Sequence, residues 1–330
     1  MKVLVTGGGG FLGEAVCRLL AARGDAVRSL QRRRSAALDA LGVDQRLADI
    51  RDGEAVRRAV AGCDAVVHCA AKAGAYGPDR EYREINVEGT RNVLAACAHA
   101  DARLVHTSSP SVVHDGRDLN GVDESAPYAA RFSAPYPRSK AAAERLVLSA
   151  AGTVPATVLR PHLIWGPGDP HFLPGLLANR HRMWLIGTAD KTIDTVYVDN
   201  AAEAHLLALD RLDADSPVRG RAYFITQGDP CTFAAWVNAL LAAAGAPPLR
   251  RRVPARPAWL AAALLETACR LAATAGLHAE PPLTRFLVEH ASTAHWFDIS
   301  AARRDLGYEP RVTTAEGMAR LAAHLRETAA

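Results

Sequence analysis

Four consecutive glycines near the start of the chain constrain its fold more than any other feature. The stretch TGGGGFLG, residues 6–13, joins the apolar run Val3–Val5 to the helix-like stretch EAVCRLLAARG. Glycines at this spacing let a tight turn approach a pyrophosphate and let the helix pack closely on the strand. The free N–H groups of a helix N-terminus then face the phosphates. We therefore expect Gly7, Gly10 and Gly13 to form a dinucleotide-binding turn, with an ordinary tight turn as the alternative.

Strand-like and helix-like stretches alternate through the first half of the chain. The expected strands are KVLVT, AVRSLQR, DQRLADI, AVVHCAA, RLVHTSS and ATVLRPHLIWG. The expected helices are Glu14–Arg23, Ser35–Leu41, Glu54–Ala61, Asn86–His99 and Tyr136–Ala150. This alternation is typical of βαβ units. It predicts an α/β fold with a Rossmann-like, doubly wound parallel sheet.

The sequence changes character after Gly166, where the Gly/Pro loop GPGDPHFLPG begins. Short strand-like runs such as TVYVD and RAYFIT then mix with helices and scattered prolines. We expect residues 1–165 to form a dinucleotide-binding domain, to which segments around 193–226 return. Residues 166–330 are expected to form mainly a smaller, C-terminal substrate-binding lobe.

Composition and patterning exclude several classes of protein. The net charge is +4, and the basic clusters are not interleaved with aromatics, which disfavours nucleic-acid binding. The six cysteines show no CxxC spacing, and the twelve histidines show no HxxxH spacing, so we predict no metal site and a reducing compartment. A strand at the very start leaves no room for a signal peptide, so the expected location is the cytoplasm.

The most apolar later stretch is Ala258–Leu277. Glu266 and Arg270 lie in its middle at a spacing that pairs charges on one helix face, which argues against a transmembrane segment. Three alternatives remain open: a lid over an acyl chain, a peripheral membrane contact, or an ordinary packed helix.

The end of the second strand predicts the choice of nicotinamide cofactor. A carboxylate there favours the ribose 2′-hydroxyl of NAD, whereas an arginine accommodates the 2′-phosphate of NADP. This strand ends in SLQRRR, which places Gln31 and Arg32 at the position and predicts NADP(H). Arg33 and Arg34, the next two residues, can equally well belong to a solvated basic surface. At the end of the third strand, Asp49, followed by Ile50, is a candidate for binding adenine or for capping a helix.

A tyrosine and a lysine predict the catalytic chemistry. The stretch YPRSK places Tyr136 and Lys140 four residues apart, on one face of a helix. A phenol titrates near ~10, and a neighbouring ammonium lowers that pKa. Upstream, HTSSPS ends a strand with hydroxyls at Ser108, Ser109 and Ser111, any of which could hydrogen-bond a substrate carbonyl.

The stretches TGGGGFLG, HTSSPS and YPRSK are followed in the chain by RPHLIWGPGD and VYVDNAAEAH. With these motifs in this order, the chain resembles the extended short-chain dehydrogenase/reductases over its whole length. Within them it is similar to the 3β-hydroxysteroid dehydrogenase-like branch. There it looks like the bacterial enzymes that reduce 2-alkyl-3-oxoalkanoates, fatty β-keto acids, in long-chain olefin biosynthesis. The resemblance implies an NADP-dependent oxidoreductase of the EC 1.1.1 type.

The resemblance also implies roles for individual residues. Tyr136 is the general acid that protonates the carbonyl oxygen, Lys140 tunes Tyr136 and binds ribose, and Ser109 orients the carbonyl. Related reductases can carry threonine in place of Ser109, which also supplies a hydroxyl. The residues implied to contact the cofactor elsewhere are Phe11, Leu12, Ala70, Ala71, Lys72, Pro161 and Leu163.

A β-keto carboxylate needs a cationic or donor-rich partner. Lys72, His162, Asn179 and Arg180 are candidates because their motifs border the expected site, although ordinary packing or surface roles suit them as well. The resemblance further implies a homodimer and a pathway assembly with a β-lactone synthetase and a β-lactone decarboxylase.

Three alternatives to this function remain. A 3β-hydroxysteroid or sterol-acid dehydrogenase would use the same residues. A nucleotide-sugar epimerase or dehydratase would usually keep NAD, which SLQRRR disfavours. A non-enzymatic NADP-sensing regulator would tend to lose the tyrosine or the lysine, and both are present.

Overall fold

A seven-stranded parallel sheet lies at the centre of the fold. The structure is a computed structural model, and it describes residues 1–170, 172–188, 190–213, 215–274, 276–277 and 279–329. The strands in chain order are β1 (Lys2–Thr6), β2 (Ala26–Gln31), β3 (Asp44–Leu47), β4 (Ala65–His68), β5 (Arg103–Thr107), β6 (Leu119–Val122), β7 (Ala156–Pro161), β8 (Ile164–Trp165), β9 (Leu185–Ile186), β10 (Thr192–Ile193), β11 (Val196–Tyr197), β12 (Ala222–Ile225), β13 (Cys231–Thr232), β14 (Arg252–Val253) and β15 (His295–Phe297). The large sheet has the order β12-β7-β5-β4-β1-β2-β3.

Helices connect these strands. They are α1 (Phe11–Ala22), α2 (Ala36–Ala40), α3 (Gly53–Val60), α4 (Asp79–Tyr82), α5 (Gly89–Ala100), α6 (Pro135–Ala150), α7 (Phe172–Asn179), α8 (Val198–Arg211), α9 (Phe233–Ala243), α10 (Ala255–Thr274), α11 (Arg285–Ser292) and α12 (Thr314–Ala329). A 3₁₀ turn covers Pro110–Val112, and π-helical turns cover Arg83–Glu88 and Ala302–Leu306.

The sheet has helices on both faces because its strands are apolar on both sides. Val3 and Val5 of β1 belong to the same hydrophobic cluster as residues of α1 and α8. Leu4, between them, belongs to a second cluster with residues of α3, α5 and α6. Each strand pairing of the large sheet is parallel. The predicted α/β class with a doubly wound parallel sheet is confirmed.

The glycines of the first turn are required by close backbone contacts. Gly7 has φ +70°, and a Cβ there would lie 2.9 Å from the Cα of Ala70. A Cβ on Gly13 would lie 2.1 Å from the carbonyl oxygen of Gly7. Helix α1 can therefore begin against the end of β1 only if these positions carry no side chain.

Two segments differ from the strands expected from the sequence. The run ATVLRPHLIWG is one expected strand, but it divides into β7 and β8 because Leu163 has φ +43°, which extended strands do not allow. The run TVYVD gives only the two residues of β11 before α8 begins at Val198.

The smaller elements assemble beside the large sheet. The order β13-β10-β15-β6 forms a four-stranded sheet, while β11 pairs with β8 and β14 pairs with β9. Strand β12, which follows α8 in the sequence, returns to the large sheet and pairs in parallel with β7.

The glycine turn gives a stability prediction. Gly13→Ala should lower the free energy of unfolding by about 1–3 kcal/mol, because its methyl group would have to displace the Gly7 carbonyl. Gly9→Ala is the matched control, since a Cβ there meets its nearest atoms at 3.5 Å, an ordinary contact. Urea denaturation measures both, and equal losses in the two variants would contradict the explanation.

Candidate active site

The carboxyl ends of four parallel strands meet beside the start of α6. The glycine turn follows β1, Ala70 follows β4, Ser108 follows β5 and His162 follows β7. Backbone contacts join these strand ends: the amide of Ser108 donates to the carbonyl of Leu159 at 2.6 Å. In open parallel sheets the carboxyl ends form the ligand-binding edge.

Helix α6 brings Tyr136 and Lys140 to this edge in its first turns. Lys140 is buried, and its Nζ donates to the carbonyl oxygen of Thr107 at 2.6 Å. Burial lowers the pKa of Lys140 to about 8, while the carboxylate of Glu144 acts in the opposite direction. An ammonium has three donors, so two remain for other partners.

The pKa of Tyr136 does not follow the sequence-based expectation. Burial raises the pKa of Tyr136, and a hydrogen bond with Ser109 partly offsets that rise. Lys140 is not among the groups that shift this pKa in the structure. The ammonium of Lys140 donates to the carbonyl oxygen of Thr107, and its expected effect on the phenol stays a prediction.

The three serines at the end of β5 have different surroundings. Ser109 is half-buried, and its Oγ lies 2.9 Å from the Oγ of Ser111 and accepts from the Ser111 amide at 3.2 Å. Ser108 donates instead to the buried carboxylate of Glu144. Ser109 therefore remains available to a substrate carbonyl, whereas Ser108 is held away by Glu144.

Glu144 is a site residue that the sequence reasoning missed. It follows Tyr136 and Lys140 at the same four-residue spacing, which was the available signal. Its side chain is fully buried and forms an ion pair with Arg160 of β7, with Nη2 to Oε1 at 2.6 Å. The hydroxyl of Tyr128 also donates to Oε1 at 2.9 Å.

Asn86 is a second missed residue, in the π-helical turn before α5. Its Oδ1 accepts from the amide of Lys72 at 2.6 Å, and its Nδ2 donates to the carbonyl of Lys72 at 3.0 Å and to the Oγ of Ser139 at 2.8 Å. Asn86 thus fixes the segment after β4 to helix α6. The sequence signal was an asparagine at the start of the expected helix Asn86–His99.

The end of β2 offers polar groups near the glycine turn. The Nε2 of Gln31 donates to Gln45 at 2.8 Å, and its buried Oε1 has no partner among the described residues. Arg32 and Arg33 are exposed and form no ion pair within the described part of the chain, whereas Arg34 pairs with Asp39 at 2.6 Å. The unpaired positive charge at this strand end is therefore carried by Arg32 and Arg33.

Asp49 and Ile50 lie at the end of the third strand with other partners. A hydrogen bond with Arg51 is the main cause that lowers the pKa of Asp49, and Nη2 lies 2.8 Å from Oδ2. The cap of α3 is Asp52, not Asp49. Ile50 is buried in the core against Gly89.

A cleft of about 1110 Å³ opens beside the start of α6. Its lining comes from the segment after β4, the approach to α6, helix α10 and the residues that follow α10. Lys72 lines this cleft, pairs with Glu81 and lies 5.1 Å from the ring centroid of Tyr82.

The other candidates for binding a carboxylate are not among the described residues that line the cleft. His162 is buried, with Nε2 at 2.7 Å from the Nδ1 of His295, and burial holds its pKa well below the usual range. Asn179 donates to the carbonyl of Gly175, and Arg180 donates to that of Leu177.

Across the described ranges, no group of three or more His, Cys, Asp or Glu side chains is arranged to hold a metal ion. No helix among those residues combines the length and apolar character needed to cross a bilayer.

Comparisons with known proteins agree with this geometry. The model of the 3-beta hydroxysteroid dehydrogenase/isomerase family matches residues 4–254. A 2-alkyl-3-oxoalkanoate reductase of Stenotrophomonas maltophilia is 48% identical over 98% of this chain and 99% of its own. The reductase of the same name from Shewanella oneidensis is 46% identical over 97% of this chain and 85% of its own.

Solved structures give the same fold. A dTDP-glucose 4,6-dehydratase from Streptomyces venezuelae, solved with NAD and TYD bound, has a TM-score of 0.77 and 25% identity over 99% of this chain and 97% of its own. The full-length matches, together with the parallel sheet and its glycine turn, identify an extended short-chain dehydrogenase/reductase. The chain is an oxidoreductase and belongs to the 3-beta hydroxysteroid dehydrogenase/isomerase family.

Proposed function

We propose that this protein reduces a 2-alkyl-3-oxoalkanoate to the 2-alkyl-3-hydroxyalkanoate with NADPH. The observation that carries the proposal is the full-length similarity to two reductases of that name, in a chain that keeps Tyr136, Lys140 and Ser109 at one edge of the sheet. A 3β-hydroxysteroid or sterol-acid dehydrogenase is the second candidate, because the family description itself names the steroid activity.

The residues present fit a nicotinamide dinucleotide. A Cβ on Gly7 or Gly13 would overlap neighbouring backbone atoms, so these positions must stay without side chains. Bare backbone is what close approach to a pyrophosphate requires. At the end of β2, the unpartnered Oε1 of Gln31 and the unpaired Arg32 would contact the adenosine ribose of such a cofactor. When bound, the cofactor would supply the hydride for the carbonyl carbon.

Tyr136 holds the proton that the reduction needs. Because burial raises its pKa, the phenol stays protonated at neutral pH and can donate to the carbonyl oxygen as negative charge develops there. Ser109 donates to the same oxygen and orients it. The two donors of Lys140 that Thr107 leaves free would serve the ribose hydroxyls of the cofactor.

The proposal also assigns cofactor binding and substrate binding to different parts of the chain. Residues 1–165, with the segments around 193–226, bind NADPH, while residues 166–330 mainly bind the substrate. Lys72 is the candidate partner for the substrate carboxylate, since it alone of the four predicted candidates lines the described cleft. A cytoplasmic homodimer that works beside a β-lactone synthetase and a β-lactone decarboxylase completes the proposal.

Turnover tests the function directly. We expect NADPH oxidation with a long-chain 2-alkyl-3-oxo acid and no NADP⁺ reduction with a 3β-hydroxysteroid. Tyr136→Phe should lower kcat by about 10²–10⁴-fold, because the general acid is lost, while NADPH binding stays nearly unchanged. Turnover of the steroid alone would replace the substrate assignment, and full activity of Tyr136→Phe would reject the mechanism.

Arg32 should determine the preference for NADPH. Arg32→Ala is expected to raise the KM for NADPH by about 10–100-fold, the cost of a lost hydrogen bond to a charged group, and to leave the KM for NADH nearly unchanged. Arg33→Ala is the matched control, since Arg33 is also exposed and unpaired within the described residues. Equal effects on the two cofactors would contradict the NADP assignment.

The pH profile should report the protonation of Lys140. Because its pKa is about 8, kcat/KM should fall about tenfold per pH unit above that value, as the ammonium loses its proton. The Glu144 carboxylate raises this pKa, so Glu144→Gln should move the break to lower pH. Tyr128→Phe removes a neutral hydrogen bond from the same carboxylate and should leave the break in place. An unmoved break in folded Glu144→Gln, checked by circular dichroism, would contradict this assignment.

A further inference from the structure

We propose that helix α10 and the arginines before it dock on a membrane that contains anionic phospholipids. The docking surface consists of Arg250–Arg252, Arg256, Leu260, Leu264 and Leu271, with Trp184 beside it. This interaction goes beyond the proposed reductase activity and does not depend on it.

Helix α10 is poorly covered by the rest of the protein. Of its twenty residues, only Ala258, Ala262 and Glu266 are buried. The two alanines pack in a small cluster with Ile186 and Val288, separate from the main core. Because helices in proteins are stabilised mainly by packing of an apolar face, so narrow a buried face indicates that α10 has a further apolar partner.

The uncovered face of α10 carries a row of leucines. Leu260, Leu264 and Leu271 are 60%, 73% and 66% exposed. They are separated by four and seven residues, spacings that return to the same side of a helix, opposite Ala258 and Ala262. Large exposed apolar rows of this kind mark interaction surfaces.

The charge of this surface identifies the partner. Residues 250–274 contain five arginines and one acidic residue, Glu266, which gives a net charge of 5 − 1 = +4. Glu266 is buried and already paired with Arg285 at 2.8 Å. Arg250–Arg252 and Arg256 are exposed and form no ion pair with any residue that the structure describes. Arg252 interacts electrostatically with Asp190, and the surface as a whole keeps a net positive charge.

The arginines that precede α10 lie beside an exposed tryptophan and a short strand pair. The guanidinium of Arg251 lies 6.0 Å from the ring of Trp184, which is 48% exposed. Strand β14, which contains Arg252, pairs with β9 just before α10 begins. An apolar row, bordered by arginines and an exposed tryptophan, is the composition of helices that lie in the interface of anionic membranes.

A second copy of the chain is a poorer partner for this surface. In a two-fold contact the same patch would meet itself, so the unpaired arginines would face like charge. A bilayer of anionic lipid supplies both the apolar interior for the leucines and the negative charge for the arginines.

Docking through α10 would also affect the cleft, because this helix forms part of its lining. Glu266, Arg270 and Ala273 of the same helix line the cleft described above. A docked α10 would therefore hold the cleft close to the lipid, where a long-chain, poorly soluble molecule would be concentrated.

Vesicle co-sedimentation of the full chain tests the proposal. We expect binding to vesicles of phosphatidylglycerol and phosphatidylethanolamine, weak binding to phosphatidylcholine alone, and weaker binding when salt is raised from about 0.1 M to about 1 M. Leu264→Glu with Leu271→Glu should lower the partition coefficient at least tenfold. Replacing Arg250, Arg251 and Arg252 by glutamine should lower it on the order of a hundredfold.

Leu47→Glu is the matched control, because Leu47 is 53% exposed but lies on β3, at the far edge of the large sheet. It should bind vesicles like the unaltered protein. Absence of binding to anionic vesicles, or equal binding by the two-leucine variant, would overturn the proposal. A dimer that becomes monomeric in that variant, measured by light scattering, would assign the surface to a second copy instead. No substrate is present, so these outcomes are independent of the reductase assignment.

Discussion

The buried ion pair between Glu144 and Arg160 is the interaction on which the geometry of the site depends. It joins helix α6 to strand β7, and through Ser108 and Tyr128 it also holds the end of β5 and the approach to α6. The guanidinium of Arg160 lies 5.0 Å from the ring of Phe224, so the last strand of the sheet contacts the same pair. Removing one member of a buried pair leaves an uncompensated charge, which costs about 3–5 kcal/mol. The ion pair therefore holds helix α6, which carries Tyr136 and Lys140, against the strand end that precedes Ser109.

The α/β fold and the positions of Tyr136, Lys140 and Ser109 on their elements could be predicted from local sequence patterns. Tyr136 and Lys140 share a helix face because of their spacing, and Ser109 follows a strand that could be read from its apolar run. The partners of the other residues could not be read in this way. His162 binds His295, which is 133 residues away in the chain, and the sequence contains no signal that brings these two rings together. Lys140 likewise donates to a backbone carbonyl, whose position depends on how β5 packs beside α6.

Leu163 marks the point where the chain leaves the large sheet. Its φ of +43° is unfavourable for a residue with a side chain and costs on the order of 1–3 kcal/mol. The bend sends the chain from β7 into β8, which pairs with β11 rather than with the large sheet. Strain of this kind persists only where surrounding contacts fix it, and here it lies directly after a strand end that borders the candidate site.

The return of β12 to the large sheet limits how the chain can be divided. Strand β7 is buried along its whole length, and β12 covers the side that would otherwise be open. A fragment that ended at residue 165 would present the amides and carbonyls of β7 as an unpaired apolar edge, which is a template for aggregation. The pairing also joins residues far apart in sequence, so the nascent chain must wait for β12 before the sheet is complete. Residues 1–165 therefore lack a strand that completes their own sheet, and they are not a candidate for transfer alone into a fusion protein.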